Sequence, residues 1–205
     1  MYGFDKGYKD ETALVCGAID PETNIIYVYD EYYESEKPVS YHAAALKPYF
    51  EGFSRLYPIQ ADPSIRARNE RDGESYQSYF YKISGVWLEP ANNDIDMGID
   101  KVRDYMYLGK LKFFSSCDNI KKEASKYVYN PLDSSKPDKP VDKFNHLMDS
   151  IRYMISPLPT NPNEFNTVYI PELADSDYSK FFDVDIQEQE NGGVIMGIKL
   201  WKRWV

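Results

Sequence analysis

Apolar and polar positions alternate most clearly at the start of the chain. YGFDKGYKDETALVCGAID holds an apolar strand start, a Gly-containing kink and a second apolar run from Ala13 to Ile19. PETN then supplies turn residues, and IIYVYDEYY follows, rich in the β-branched and aromatic types that suit strands. Short connections between three such runs predict an antiparallel meander. Val39, Ala43, Leu46, Phe50 and Phe53 then recur at helical spacing over residues 38–56, with Pro48 predicting a kink or two shorter helices. Leu56 to Ala61 reads as a short strand closed by Asp62-Pro63. Strand, crossover helix and strand is the pattern of a mixed sheet.

The middle of the chain is more polar. Residues 64–80 predict a short helix or loop with a turn at Asp72-Gly73, and Ile83 to Leu88 predicts a strand. Residues 96–108 have an amphipathic helical pattern closed by Gly109. Leu111 to Phe114 predicts a strand, residues 118–126 a helix, and Lys126 to Tyr129 a further strand. The Pro, Ser and Asp-rich stretch 131–142 predicts a surface loop. In the helix predicted over 143–155, Phe144, Leu147, Met148, Ile151, Met154 and Ile155 share an apolar face. His146, Asp149 and Arg152 share the polar one. From Ser156 the character changes to a Pro/Asn-rich linker, an acidic stretch and a last apolar segment, Gly193 to Trp204.

Composition narrows the chemistry. A net charge of -9 argues against a protein that simply coats DNA through its phosphates, but less against one whose carboxylates hold divalent cations. Two cysteines and two histidines, widely scattered, cannot close a structural zinc site of the usual kind, and two cysteines make no disulfide framework. A reducing compartment is expected, and no apolar stretch is long enough to span a bilayer. Neither a GxxxxGK[ST] loop nor a GxGxxG loop occurs, so nucleotide hydrolysis must lie elsewhere.

Three acids are placed where they carry information. Asp5 lies inside the first apolar strand, Asp62 at the end of the strand after the first helix, and Asp149 on the polar face of a late helix. A carboxylate inside an apolar strand is costly unless it is paired or binds a metal. Carboxylates gathered at one end of a sheet can hold two Mg²⁺ or Mn²⁺ ions. With 33 acidic residues in the chain, each also has an ordinary reading. Asp5 suits an edge strand facing water, Asp62 a turn before Pro63, and Asp149 a solvated helix face.

The residues resemble the nuclease domain of large terminase subunits from tailed phages, a branch of the RNase H-like superfamily. The resemblance is carried by YGFDKGYKDETALVCGAID with IIYVYDEYY, the ADPS segment, GIDKVRDYMYLGKLKFFSSCDNIKKEASKYVY, and FNHLMDSIRYMI. The last is the most specific, with a His, an Asp three residues on, and then Arg-Tyr. It implies an α/β fold of the RNase H-like kind, a mixed sheet whose first three strands are antiparallel, with helices on both faces. By position Asp5, Asp62 and Asp149 match the metal-ligating acids. His146 matches a histidine one turn before the third acid, suited to orienting that carboxylate or assisting proton transfer.

The resemblance further implies a metal-dependent endonuclease cutting concatemeric double-stranded viral DNA, with two Mg²⁺ or Mn²⁺ ions as cofactors. Its partners would be an upstream ATPase domain of the same polypeptide, the small terminase subunit and the portal protein, in the cytoplasm of an infected bacterium. Residues 1–155 are expected to form the nuclease domain. Residues 156–205 are expected to form a C-terminal extension, packed on it or partly mobile. Since Met1 directly precedes the first nuclease strand, an excised domain with an added or fortuitous initiator is expected. Arg66, Arg68, Arg71, Lys121, Lys122 and Lys143, with Lys136 and Lys139, are candidate phosphate contacts, and singly each also suits ordinary solvated charge. A junction resolvase or transposase-type nuclease on the same fold, and an acidic docking module without catalysis, are the competing readings.

Overall fold

The alternation in strand β2 (Thr12–Ile19) decides the architecture. Ala13 and Val15 point to one face of the sheet and Leu14 and Cys16 to the other, and all four are buried. A strand buried on both faces needs a layer on each. The computed structural model describes residues 1–20, 22–50, 58–70, 72–128, 140 and 143–164, and the strand backbone of 184–188 and 194–198. In it β2 lies near the middle of a six-stranded sheet. β1 (Tyr2–Asp5) and β3 (Ile26–Glu34) pair with it antiparallel, as the meander predicts. β4 (Ile59–Ala61) pairs parallel to β1, and β5 (Leu88–Pro90) parallel to β4. β6 (Leu111–Phe113) closes the other edge parallel to β3, so the order is β5-β4-β1-β2-β3-β6.

Helices cover both faces. Phe4, Leu14, Ile59 and Leu88 form one core with α1 (Val39–Leu46) and α2 (Tyr76–Ser84). Val15, Ile26 and Val28 form the second. That core is closed by α3 (Ile95–Tyr107), α4 (Asp118–Ala124) and α5 (His146–Ile155). Helix α1 stops at Leu46 and a 3-10 turn holds Lys47–Phe50, the interruption that Pro48 predicts.

Three local expectations are corrected. The strand predicted over Ile83 to Leu88 is mostly the end of α2. Ser75 caps that helix by accepting the Ser78 N–H, and Gly85, at φ 74°, ends it. Tyr76, Phe80 and Ile83 fall on its core side at helical spacing, a period hidden by the surrounding polar residues. Lys126 to Val128 is not a strand, because Lys126 and Tyr127 donate back to the Glu123 carbonyl as α4 unwinds. Phe144 lies outside α5 at φ 56° and is exposed. Tyr129, Arg71, Lys136, Lys139 and all of the loop predicted over 131–142 except Pro140 lie outside the described residues.

Two compact units are distinguished, Met1–Val168 and Tyr169–Val205. In the first, Lys101 donates to the Ser156 and Leu158 carbonyls and Tyr105 to that of Pro159, fastening the chain after α5 to α3. In the second, β7 (Val184–Glu188) and β8 (Val194–Ile198) pair antiparallel.

Candidate active site

Parallel pairing sets the first two acids side by side. Phe4 is the register partner of Ala61, and the Asp62 N–H continues the ladder to the Phe4 carbonyl at 3.0 Å. Asp5 ends β1 and Asp62 follows the last residue of β4, so both stand at the C-terminal ends of neighbouring parallel strands. Asp62 also caps the 3-10 turn Pro63–Arg66, its Oδ1 accepting the Ser64 N–H at 2.6 Å. The turn-forming role read from Asp-Pro is therefore real, and it directs the carboxylate from the strand end.

Helix α5 crosses these strands and brings the third acid. Its first turn carries His146 and Asp149. His146 Nδ1 and Asp5 Oδ2 are 2.8 Å apart, and His146 Nε2 lies 3.6 Å from Glu11 Oε2. Asp149 Oδ1 accepts from Arg152 Nε at 3.2 Å and Nη2 at 3.0 Å, and its Oδ2 accepts from Asn145 Nδ2 at 3.2 Å.

The carboxylates sense one another. Burial, opposed by the His146 hydrogen bond and reinforced by the charges of Asp149 and Asp62, pushes Asp5 up to about 6. Burial also raises Asp149, Arg152 opposing and Asp62 adding to the shift. The bond to Asp5 raises His146, so its ring keeps a proton to higher pH than a free imidazole; burial opposes this, and the charges of Asp5, Glu123 and Glu11 add to it. Among the described residues no three Asp, Glu, His or Cys side chains close on a common ion position. The donors that meet here are nonetheless carboxylate oxygens, the hard ligands of Mg²⁺ and Mn²⁺. Mg²⁺ retains waters and takes only one or two carboxylates, so it does not require a closed protein cage.

The basic candidates do not gather in the same way. Arg66 and Arg68 are exposed and line a groove with Ser75, Ser78 and Lys82. Lys121 is held by Asp118 and the Ser115 carbonyl, and Lys122 by Asn119. Lys143 is exposed just before α5.

Several residues around the acids were not legible as part of the site. Glu11, reaching His146, is one. Arg152, predicted on the solvated face of α5, is buried at 3% exposure; the only signal was its spacing of three from Asp149. Glu123 is another, sitting between lysines in a short polar helix and yet 2% exposed. Its carboxylate accepts the Leu147 N–H and the Tyr33 hydroxyl, each at 2.7 Å, and so holds the N-terminal turn of α5. Glu123→Gln offers one carbonyl oxygen to two buried donors and is expected to cost roughly 1–2 kcal/mol in urea unfolding. Glu123→Ala strands both donors and opens a cavity, for about 3–4 kcal/mol. Unchanged midpoints would remove Glu123 as the anchor of that turn.

Comparison with known proteins agrees with this geometry. The family model described as the Terminase RNaseH-like domain matches residues 3–158. The large terminase subunit of Escherichia phage T5 is 26% identical over 161 residues, 76% of this chain and 34% of that protein. The chain thus spans about a third of that relative's length. Among solved structures, the P22 large terminase nuclease domain matches with a TM-score of 0.60 and 18% identity, over 76% of this chain and 79% of that one. The large terminase nuclease domain of bacteriophage SPP1, solved with bound Mn, matches with a TM-score of 0.58 and 23% identity, over 75% and 83%. The meander with its parallel neighbour and the family match over most of the chain place this protein in the terminase RNase H-like domain family.

Proposed function

We propose that this chain is a divalent-metal-dependent endonuclease that cuts double-stranded viral DNA during genome packaging. The observation that carries the reading is the placement of Asp5 and Asp62 at matching ends of the paired strands β1 and β4, with His146 of α5, one turn before Asp149, 2.8 Å from Asp5. Excess negative charge in a buried, oxygen-rich place is relieved by a cation. Asp5, Asp62 and Asp149 would hold it. Two divalent ions, when bound, would supply the Lewis acidity that polarises the phosphodiester and lowers the pKa of the attacking water. The Mn in the SPP1 nuclease domain supports this cofactor class.

The chain's own residues prepare the site. His146 holds Asp5 by Oδ2 and has Glu11 on its other side. Arg66, Arg68, Lys121, Lys122 and Lys143 are the proposed phosphate contacts, with Arg71. With a net charge of -9, the isolated domain should hold DNA weakly and in a salt-sensitive way. An upstream ATPase domain, the small terminase subunit and the portal would hold the DNA in the assembled motor, in the cytoplasm of the infected host. Among the described residues no helix is long and apolar enough to cross a membrane.

A junction-free linear duplex and a supercoiled plasmid test this directly. Both are expected to be cut in Mn²⁺ or Mg²⁺ with little sequence preference, and neither in EDTA. Cutting confined to four-way junctions would replace this reading with a resolvase. No cutting, together with no rise in melting temperature on adding Mn²⁺, would leave an acidic docking module.

A further inference from the structure

The Arg-Tyr pair that follows Asp149 has no part in the reading so far. Arg152 is buried, yet its Nη1 has no hydrogen-bond partner among the described residues. A buried, unsatisfied guanidinium donor costs free energy. A buried ion pair is itself weak evidence of stabilisation. Helix α3 also yields to this side chain. A Cβ added to Gly98 would lie 2.5 Å from both Cγ and Cδ of Arg152. Alanine, the better helix former, is thereby excluded from a helix interior. An arginine kept at such cost serves something other than packing.

Its remaining contacts converge on Asp149. Nε and Nη2 both donate to Asp149 Oδ1. Nη2 also donates to Asn93 Oδ1 at 3.2 Å, the same oxygen that accepts the Tyr153 hydroxyl at 3.2 Å. The guanidinium carbon sits 4.6 Å from the Tyr153 ring centroid, which fixes its plane. The carboxylate is therefore gripped at one oxygen and lightly held at the other, where Asn145 is the single donor found.

We propose that Arg152, braced by Asn93 and Tyr153 and seated against Gly98, is a positioning residue that commits Asp149 Oδ1 to the protein and presents Oδ2 to a divalent cation. The inference rests on the metal reading above. Lysine cannot replace the arginine, because one ammonium cannot reproduce the fork that reaches both Asp149 and Asn93. The fork also compensates the charge of Asp149, whereas Asp5 has the imidazole of His146, so the two acids are steadied by different means.

Calorimetric titration of the metal-free full chain with MnCl₂ tests it, together with melting of each variant in EDTA. Arg152→Lys is expected to weaken Mn²⁺ binding by about 10-fold or more, in the range seen when outer partners of metal ligands are removed. Asn93→Ala, at an exposed position, is expected to weaken it about threefold. In both, the kcat for DNA cutting should fall while KM for DNA stays unchanged. A folded Asn93→Ala chain with the parent's Mn²⁺ affinity overturns the proposal, even if Arg152→Lys fails to fold. So does a variant that melts earlier but binds Mn²⁺ as the parent does, since that is the signature of a packing role alone. A parent chain that binds no Mn²⁺ removes the metal reading, and this inference with it.

Discussion

Asp5→Asn is expected to abolish metal-dependent cutting and to make the metal-free protein more stable. Loss of a ligand from the metal site should lower the rate on the order of 1000-fold, equivalent to about 4 kcal/mol of transition-state stabilisation. The stability change has the opposite sign because Asp5 is buried beside two other acids. Its carboxyl titrates near 3.8 when unperturbed and at about 6 in the folded chain. Between those values the native state binds more protons than the unfolded state, so stability falls as pH rises. By pH 7 that cost is fully present, at about 3 kcal/mol for a shift of this size. Asparagine has the same shape and never carries the charge. In EDTA, the variant's advantage in unfolding free energy should be near zero below pH 4 and should grow through pH 6. Saturating Mn²⁺ should reverse the order, adding about 4.1 kcal/mol to the parent at 1,000 times its Kd and little to the variant. A pH-independent difference would mean that neither burial nor its neighbours raise Asp5. An Asp5→Asn chain that still cuts, free of contaminating nuclease, would defeat the proposed mechanism.

The acids were legible because each interrupts a pattern. Asp5 ends an apolar strand, Asp62 sits between a strand and a proline, and Asp149 follows a histidine at helical spacing. The meander was legible because β2 is apolar throughout and its turns are polar. Helix α2 was not, because Tyr76, Phe80 and Ile83 share its inner side with the polar Gln77 and Ser84, while two tyrosines and a lysine are exposed. Its boundaries are written in a serine cap and a glycine stop, which a strand reading of Ile83 to Leu88 overlooks. Glu123 and Arg152 were hidden for a different reason. Each looks like an ordinary surface charge on an amphipathic helix, and each is buried only because another helix end or an acid, far away in sequence, needs it. Glu123 meets one orphan N–H of α5, and Arg152 meets a glycine in α3. Such needs arise from tertiary contact and leave no local period.

Gly3→Ala should have the largest effect of any glycine-to-alanine change among the described residues. Gly3 is buried in β1, two residues before Asp5, where α5 crosses the strand. A Cβ there would lie 1.8 Å from the Ser150 carbonyl oxygen and 2.8 Å from the Met154 nitrogen. Both are backbone atoms of α5, so no side-chain rotation relieves the overlap. Either β1 or the whole helix must move. Overpacking of cores typically costs 1–3 kcal/mol, and a clash with helix backbone is expected to exceed about 3 kcal/mol. The contrast is Gly85, where nothing lies within 4 Å of an added Cβ and only the left-handed backbone, at φ 74°, resists substitution. Gly85→Ala should therefore cost about 1–2 kcal/mol. The same step of α5 carries His146 and Asp149, so a Gly3→Ala chain that does fold should lose its response to Mn²⁺ as well. Urea midpoints give the first effect, and hydrogen exchange of the α5 amides, with and without Mn²⁺, gives the second. A Gly3→Ala protein with the parent's midpoint and the parent's protection along α5 would show that the helix does not rest on β1 as described, and that the acids are held together by something else.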